Sequence, residues 1–168
     1  MTTDEVAAKS FCAGALAFEP WTAWTNSTVD EAIPSATAPV AASTTVPTPS
    51  ATPDAPVELA RGTFVSQEHG TSGTARILEG LDGSRSLRLE GFATSNGPDL
   101  HVWLSDRSAG GDWFKYDEGA SIQLGELKAN RGSHNYAIPA DAELTDVESV
   151  VIWCKRFRVA FGSAPLKA

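Results

Sequence analysis

The sequence from Val57 to Ala168 predicts an all-β domain, a β-sandwich or jelly-roll-like barrel of about seven to eight short strands. Three observations carry that reading. Short apolar runs separated by turn residues recur roughly every 8–15 residues. No apolar pattern of helical period persists. Ahead of this region, Pro34–Pro56 holds six Pro and eight Ser/Thr in 23 residues, no aromatic residue, and Asp54 as its one charge. Such a composition buries too little apolar surface to offset the entropy of ordering, so it predicts a disordered, semi-extended tether. In polyproline II geometry it would reach on the order of 70 Å. The chain therefore divides into a front segment 1–33, a linker 34–56 and a β domain 57–168.

Taken in order, Arg61–Val65 is the first expected strand. Ala75–Leu78 and Ser86–Phe92 flank Asp82-Gly83, a type I′ hairpin signal because both residues tolerate positive φ. Leu87 and Leu89 alternate with Arg88 and Glu90, the pattern of a strand with one wet face. Leu100, Val102 and Leu104 alternate with His101 and Trp103, which places His101 on the outward side. Ile122 and Leu124, Tyr136–Ile138 and the long run Ser149–Phe161 complete the set.

Charge and cysteine content exclude several classes. The net charge of −8 divides into −5 before Val57 and −3 after it. Without a Lys/Arg run, such a chain gains little from counterion release on nucleic acid, and it is repelled by anionic membrane surfaces. Two cysteines, Cys12 and Cys154, are too few for a disulfide scaffold, so the domain must be held by its apolar core. Zinc-type Cys/His spacings and a CxxCH haem motif are absent. The Phe11–Phe18 apolar stretch is far short of the ~20 residues that cross a bilayer. Asp4 and Glu5 stand where a signal peptide carries basic residues. The front end reads either as a loose amphipathic segment or as the stump of a membrane anchor, with Trp21 and Trp24 suited to a membrane–water interface.

Cys154 is the leading chemical candidate. Lys155, Arg156 and Arg158 follow it, and neighbouring cations favour the reactive thiolate. The competing reading is a buried cysteine that packs as a small hydrophobe. Asn96-Gly97-Pro98-Asp99 must turn sharply, and Asp99 at its exit either caps the turn or binds a cation, with capping favoured because no other acid is near in sequence. Trp113, Phe114 and Tyr116 beside Ser108–Asp112 form either an exposed contact platform, with Trp113 and Tyr116 as binding residues, or loop anchors. Among the three histidines, His69 and His134 are candidates for b-type haem, yet scattered histidines are usually solvent-facing or hydrogen-bonded, so no cofactor and no metal site is expected. No GxSxG elbow points to hydrolysis.

Several ordered motifs then converge: Leu89-Glu-Gly-Phe92, Ser95-Asn-Gly-Pro-Asp-Leu100, Val102-Trp-Leu-Ser105, Asn135-Tyr-Ala-Ile-Pro139, Val150-Val-Ile-Trp-Cys-Lys-Arg-Phe157 and Phe161-Gly-Ser-Ala164. Together they resemble the DM-thirteen domain, the Skeletor-type domain often found beside DOMON domains. The resemblance spans roughly residues 58–166. It implies a β-sandwich-like fold and a redox or electron-transfer role centred on the cysteine, here Cys154. Residues 18–33 look like the segment that follows a membrane anchor in bacterial members, which implies an extracytoplasmic place in the cell envelope. With no second cysteine in the domain, a redox role implies an external partner protein or thiol. The rival expectation is a noncatalytic binding or adhesion module with a structural cysteine.

Overall fold

A computed structural model describes residues 26–34 and 55–168. They form ten strands: β1 (Thr28–Asp30), β2 (Val57–Thr63), β3 (Val65–Ser66), β4 (Ser72–Glu79), β5 (Arg85–Ala93), β6 (Leu100–Ser105), β7 (Ser121–Glu126), β8 (Arg131–Ile138), β9 (Ser149–Cys154) and β10 (Val159–Pro165). A single 3-10 turn, Lys115–Asp117, lies between β6 and β7. One sheet runs β1-β8-β5-β4-β2 and the other β3-β10-β9-β6-β7. All pairings are antiparallel except that of β1 with β8. The architecture is therefore the expected all-β class, and of the two forms the sequence allowed it is the sandwich. The strand number exceeds the expected seven to eight because β1 lies ahead of the expected domain start and β3 has only two residues.

Period-two alternation builds the core between the sheets. Ala75, Ile77, Leu87, Leu89, Tyr136 and Ile138 face Leu100, Val102, Leu104, Val150, Ile152, Cys154 and Phe161, all buried in one cluster. Burying each large aliphatic side chain contributes about 1.5–3 kcal/mol. The outer face of the first sheet is polar, as the Leu87/Leu89 alternation predicts. There Arg76 pairs with Glu58 and Glu90, and Arg88 with Glu90. Burial would raise the Glu90 carboxyl, but the two guanidiniums outweigh it and hold Glu90 below the usual carboxylate range.

Three expectations are corrected. The run Ser149–Phe161 is two strands, not one: Lys155–Arg158 form an exposed hairpin loop, closed by the Arg158 N–H donating to Cys154 O at 2.8 Å. Arg158 there adopts the left-handed region at φ 55°. The hairpin between β4 and β5 exists, but not as a two-residue I′ turn. Gly83 N–H closes a turn on Gly80 O at 2.9 Å, and Gly83 alone of the loop has positive φ, 77°. That geometry is the longer loop with a left-handed glycine, where Asp82 instead accepts from Ser84 N–H at 3.0 Å.

The third correction concerns the front segment. β1 is an integral edge strand: Glu31 N–H donates to Ser133 O at 2.8 Å and Arg131 N–H to Ser27 O at 3.1 Å. Ser27 N–H also donates to Asn130 Oδ1 at 2.7 Å. The Lys128 ammonium, 2.7 Å from Glu31, holds that carboxyl below its ordinary value, with burial pulling the other way. Residues 1–25 and 35–54, including the apolar stretch, Cys12 and most of the Pro-rich linker, lie outside the described residues. Its two described ends, Pro34 and Pro56, line one cleft of about 310 Å³.

Two outcomes follow from this packing. Deleting residues 1–33 removes β1 and should lower unfolding free energy by on the order of 2–4 kcal/mol, at about 1 kcal/mol per net hydrogen bond, read as a fall in the urea midpoint. Tyr136 is 4% exposed and burial pushes its phenol up to about 12, against an ordinary value of 10.0. Its contribution to stability is complete below pH 10 and is lost as pH rises through about 12, a swing on the order of 2–3 kcal/mol. Tyr116 is raised as well, again by burial. With only two tyrosines in the chain, an absorbance titration should show no tyrosinate step at the ordinary phenol value until alkaline unfolding begins.

Candidate functional site

The chain enters β6 through the narrow loop 95–99, and this loop organises the site. A Cβ on Gly97 would fall 2.6 Å from Phe161 Cζ, so only glycine lets the loop lie flat on that ring. Pro98 then fixes the descent, and Asp99 turns the chain in the left-handed region at φ 62°, which Asp adopts more readily than most residues. The loop is stitched to the end of β9. Lys155 N–H donates to Asp99 O at 3.1 Å. The Cys154 thiol donates to Pro98 O at 3.0 Å.

Cys154 is fully buried and points between the sheets, where Leu100 is its cross-strand partner. Among the described residues, Pro98 O is the one hydrogen-bond partner of its thiol. Lys155 and Arg156, expected beside the thiol, are exposed in the hairpin loop, with no hydrogen bond or ion pair to Sγ. Adjacency in sequence misled here: the strand ends at Cys154, so the next side chains leave the sheet and turn into solvent. What separates the thiol from water is the half-buried Pro98 and its loop. Asn96, Gly97 and Asp99 of that loop line an open cleft of about 470 Å³.

Asp99 does cap a neighbour, but not as a simple turn cap: its Oδ1 lies 2.7 Å from His101 Nε2. His101 faces away from the inter-sheet core, as its alternation predicts, yet it is covered, at 7% exposure. Directly across the strand pair, His101 is in register with Glu126 of β7. Ligand-type atoms of Asp99, His101 and Glu126 all lie within 4.8 Å of one another. Sequence reasoning missed this group. Asp99 and His101 are two residues apart, but Asp99 lies in the left-handed turn before β6, so strand alternation gave no signal that their side chains would meet. Glu126 had none either, because its place depends on the β6–β7 register and on a bulge between Val102 and Trp103.

The second face of β9 carries an aromatic layer. Trp103 stacks on Trp153 with centroids 5.0 Å apart, and Tyr116 meets Trp153 edge-on at 6.4 Å. Tyr116 is therefore corrected from contact residue to anchor: it is fully buried, and its hydroxyl donates to Ser163 Oγ at 2.9 Å. Trp113 and Phe114 remain on the surface, at 41% and 56% exposure, and Phe157 at the hairpin tip is 59% exposed. Of the haem candidates, His134 is wholly inside the core, with Nε2 3.0 Å from Arg131 O, and would have to leave it to meet iron. His69 packs against the Phe161 ring at 4.0 Å and pairs with Glu68.

A sandwich with its one described cysteine sealed under a short loop defines an all-β module with a shielded thiol. A family model described as Electron transfer DM13 matches residues 63–166, and the chain belongs to that family. No curated protein and no solved structure matches it at a significant level.

Gly97→Ala tests whether the loop seals the site. The added methyl must push the loop off Phe161, a strain of about 1–3 kcal/mol. The expected result is a lower Tm together with faster alkylation of Cys154 in the folded protein.

Proposed function

We propose that this chain is an electron-transfer module of the cell envelope, in which Cys154 is the redox group and the loop 95–99 its cover. The observation that carries this reading is the Cys154–Pro98 contact at 3.0 Å, made by a loop whose Asn96, Gly97 and Asp99 line an open cleft. The family supplies the electron-transfer class. A thiol shielded in this way is protected from indiscriminate oxidation and reacts when the loop lifts. With no second cysteine among the described residues, exchange requires a partner disulfide. The Cys154 thiolate attacks one partner sulfur, the partner's S–S bond breaks, and a mixed disulfide forms while a partner thiolate leaves. A thiolate from outside the domain then attacks the partner's sulfur in the mixed disulfide, a new disulfide forms between those two sulfurs, and Cys154 leaves as the reduced thiolate.

A second reading has its own observation. Trp113 O accepts from Ala160 N–H at 3.0 Å, and Asp117 pairs with Arg158, so the exposed Trp113 and Phe114 lie along the β9–β10 hairpin whose tip carries Phe157. Exposed aromatics grouped in this way suit a noncatalytic binding or adhesion module.

Alkylation of the full chain carrying Cys12→Ser separates the two. The redox reading expects Cys154 to react by a local opening that denaturant barely accelerates, and Cys154→Ser to abolish mixed-disulfide formation with a small aromatic disulfide. Modification that tracks global unfolding would assign Cys154 to the core and leave the aromatic surface as the working element.

A further inference from the structure

We infer that Asp99, His101 and Glu126 form a binding site for a divalent transition-metal ion. The inference stands apart from the role given to Cys154, and no part of it uses the thiol.

The backbone builds this group. The left-handed turn at Asp99 brings its Oδ1 within 2.7 Å of His101 Nε2 at the start of β6, and Glu126 is the cross-strand partner of His101. Cross-strand partners have Cβ atoms only about 4.5–5.5 Å apart, so the imidazole and the Glu126 carboxylate are held together by the sheet and not by long side chains meeting in solvent. The resulting donor atoms lie within 4.8 Å of one another. Around an ion bound at about 2.0–2.2 Å, neighbouring donors stand ~3–3.5 Å apart, so small rotations of Asp99 and Glu126 suffice to close the site.

Charge supports the same conclusion. Two carboxylates face one imidazole, and no Lys or Arg among the described residues pairs with either of them. The imidazole is nine-tenths buried while the carboxylates are exposed at the mouth. The set therefore offers a neutral nitrogen from the floor and two anionic oxygens from the rim, beside a cleft of about 470 Å³ that Asp99 and Glu126 both line. That space leaves coordination positions open to water or to a ligand of the ion.

Donor chemistry sets the class of ion. One imidazole and two carboxylates make three protein ligands, the number found where a metal keeps an open position. Calcium requires six to eight oxygen donors, and magnesium favours an all-oxygen octahedron, so the nitrogen selects a zinc-like or copper-like ion. On binding, Nε2 gives up its hydrogen bond to Asp99 and presents its lone pair, with the ring proton carried on Nδ1.

Zinc titration of the full chain, after removal of metals with a chelator, tests the inference. One equivalent of Zn²⁺ should bind with micromolar or tighter affinity. The chain has three histidines, so their ring NMR signals report the place directly. His101 should shift, and His69 and His134 should not. Glu126→Gln, at an exposed position that leaves the fold intact, and His101→Gln should each weaken binding at least about tenfold. Cys154→Ser should leave it unchanged, which keeps a failure of the redox reading distinct from a failure of this one. Absence of saturable binding, unchanged affinity in Glu126→Gln, or zinc shifts centred on His69 would each overturn the site.

Discussion

Strand β9 is buried on both faces, and much of the molecule is arranged to keep it so. A strand in a sandwich ordinarily buries one face and wets the other. Here Val150, Ile152 and Cys154 enter the core between the sheets, while Val151 and Trp153 enter a second cluster with Trp103, Tyr116 and Ala160. The second cluster needs a roof, and the long connection between β6 and β7 supplies it through Tyr116. Burying a phenol without a partner is costly, so the hydroxyl is given Ser163. The conformation of the β6–β7 connection is thus a consequence of β9, and so is the placement of Trp113 and Phe114 along the hairpin edge.

The same strand explains why the site sits at one end of the sandwich. β9 must stop at Cys154 because the next four residues, Lys-Arg-Phe-Arg, include three cations that cannot enter the core without pairing. They are turned outward as a loop, and the open end of β9 is closed from the other side by 95–99. Lys155 N–H finds Asp99 O, and the thiol finds Pro98 O. One loop therefore satisfies the strand end, covers the sulfur and delivers the Asp99 carboxylate to His101. Gly97, Pro98 and Asp99 are each fixed by a different demand, namely contact with Phe161, the descent of the chain and the left-handed turn.

How far this was legible in the sequence follows from the range of each interaction. The alternation in β5 and the turn residues before β6 act over two to six residues, and they gave the fold class and the loop without error. The hairpin after Glu79 was located, but its type was not, since Asp-Gly supports more than one turn and the choice depends on loop length. Continuous apolar runs were harder. Both faces of β9 are buried, so Ser149–Cys154 shows no alternation, and the polar gap Lys155–Arg158 that marks the turn was read as a set of cations beside the thiol. Pairing across distant segments was invisible: β1 joins β8 across about 100 residues, and a polar, three-residue strand has no pattern of its own. Glu126 belongs to this group, for its meaning comes only from the register opposite His101.

That shared loop also links two properties that could have been independent. Were residues 95–99 to lift, as the proposed redox reading requires, the Cys154–Pro98 contact and the Asp99–His101 contact would be lost together. Anything that binds the closed arrangement of the three side chains opposes the opening by RT ln(1 + [L]/Kd), about 2.7 kcal/mol at a hundredfold excess over Kd. At that occupancy the open population falls roughly a hundredfold, with no change in any contact of the sulfur itself. The linkage is reciprocal: a covalent partner on Cys154 that held the loop up would in turn weaken binding of the ion. The proposed cation site and the Cys154 thiol thus share one five-residue segment, which sets Pro98 O against the sulfur and the Asp99 carboxylate against His101, so that under both proposals each would act as a thermodynamic brake on the other.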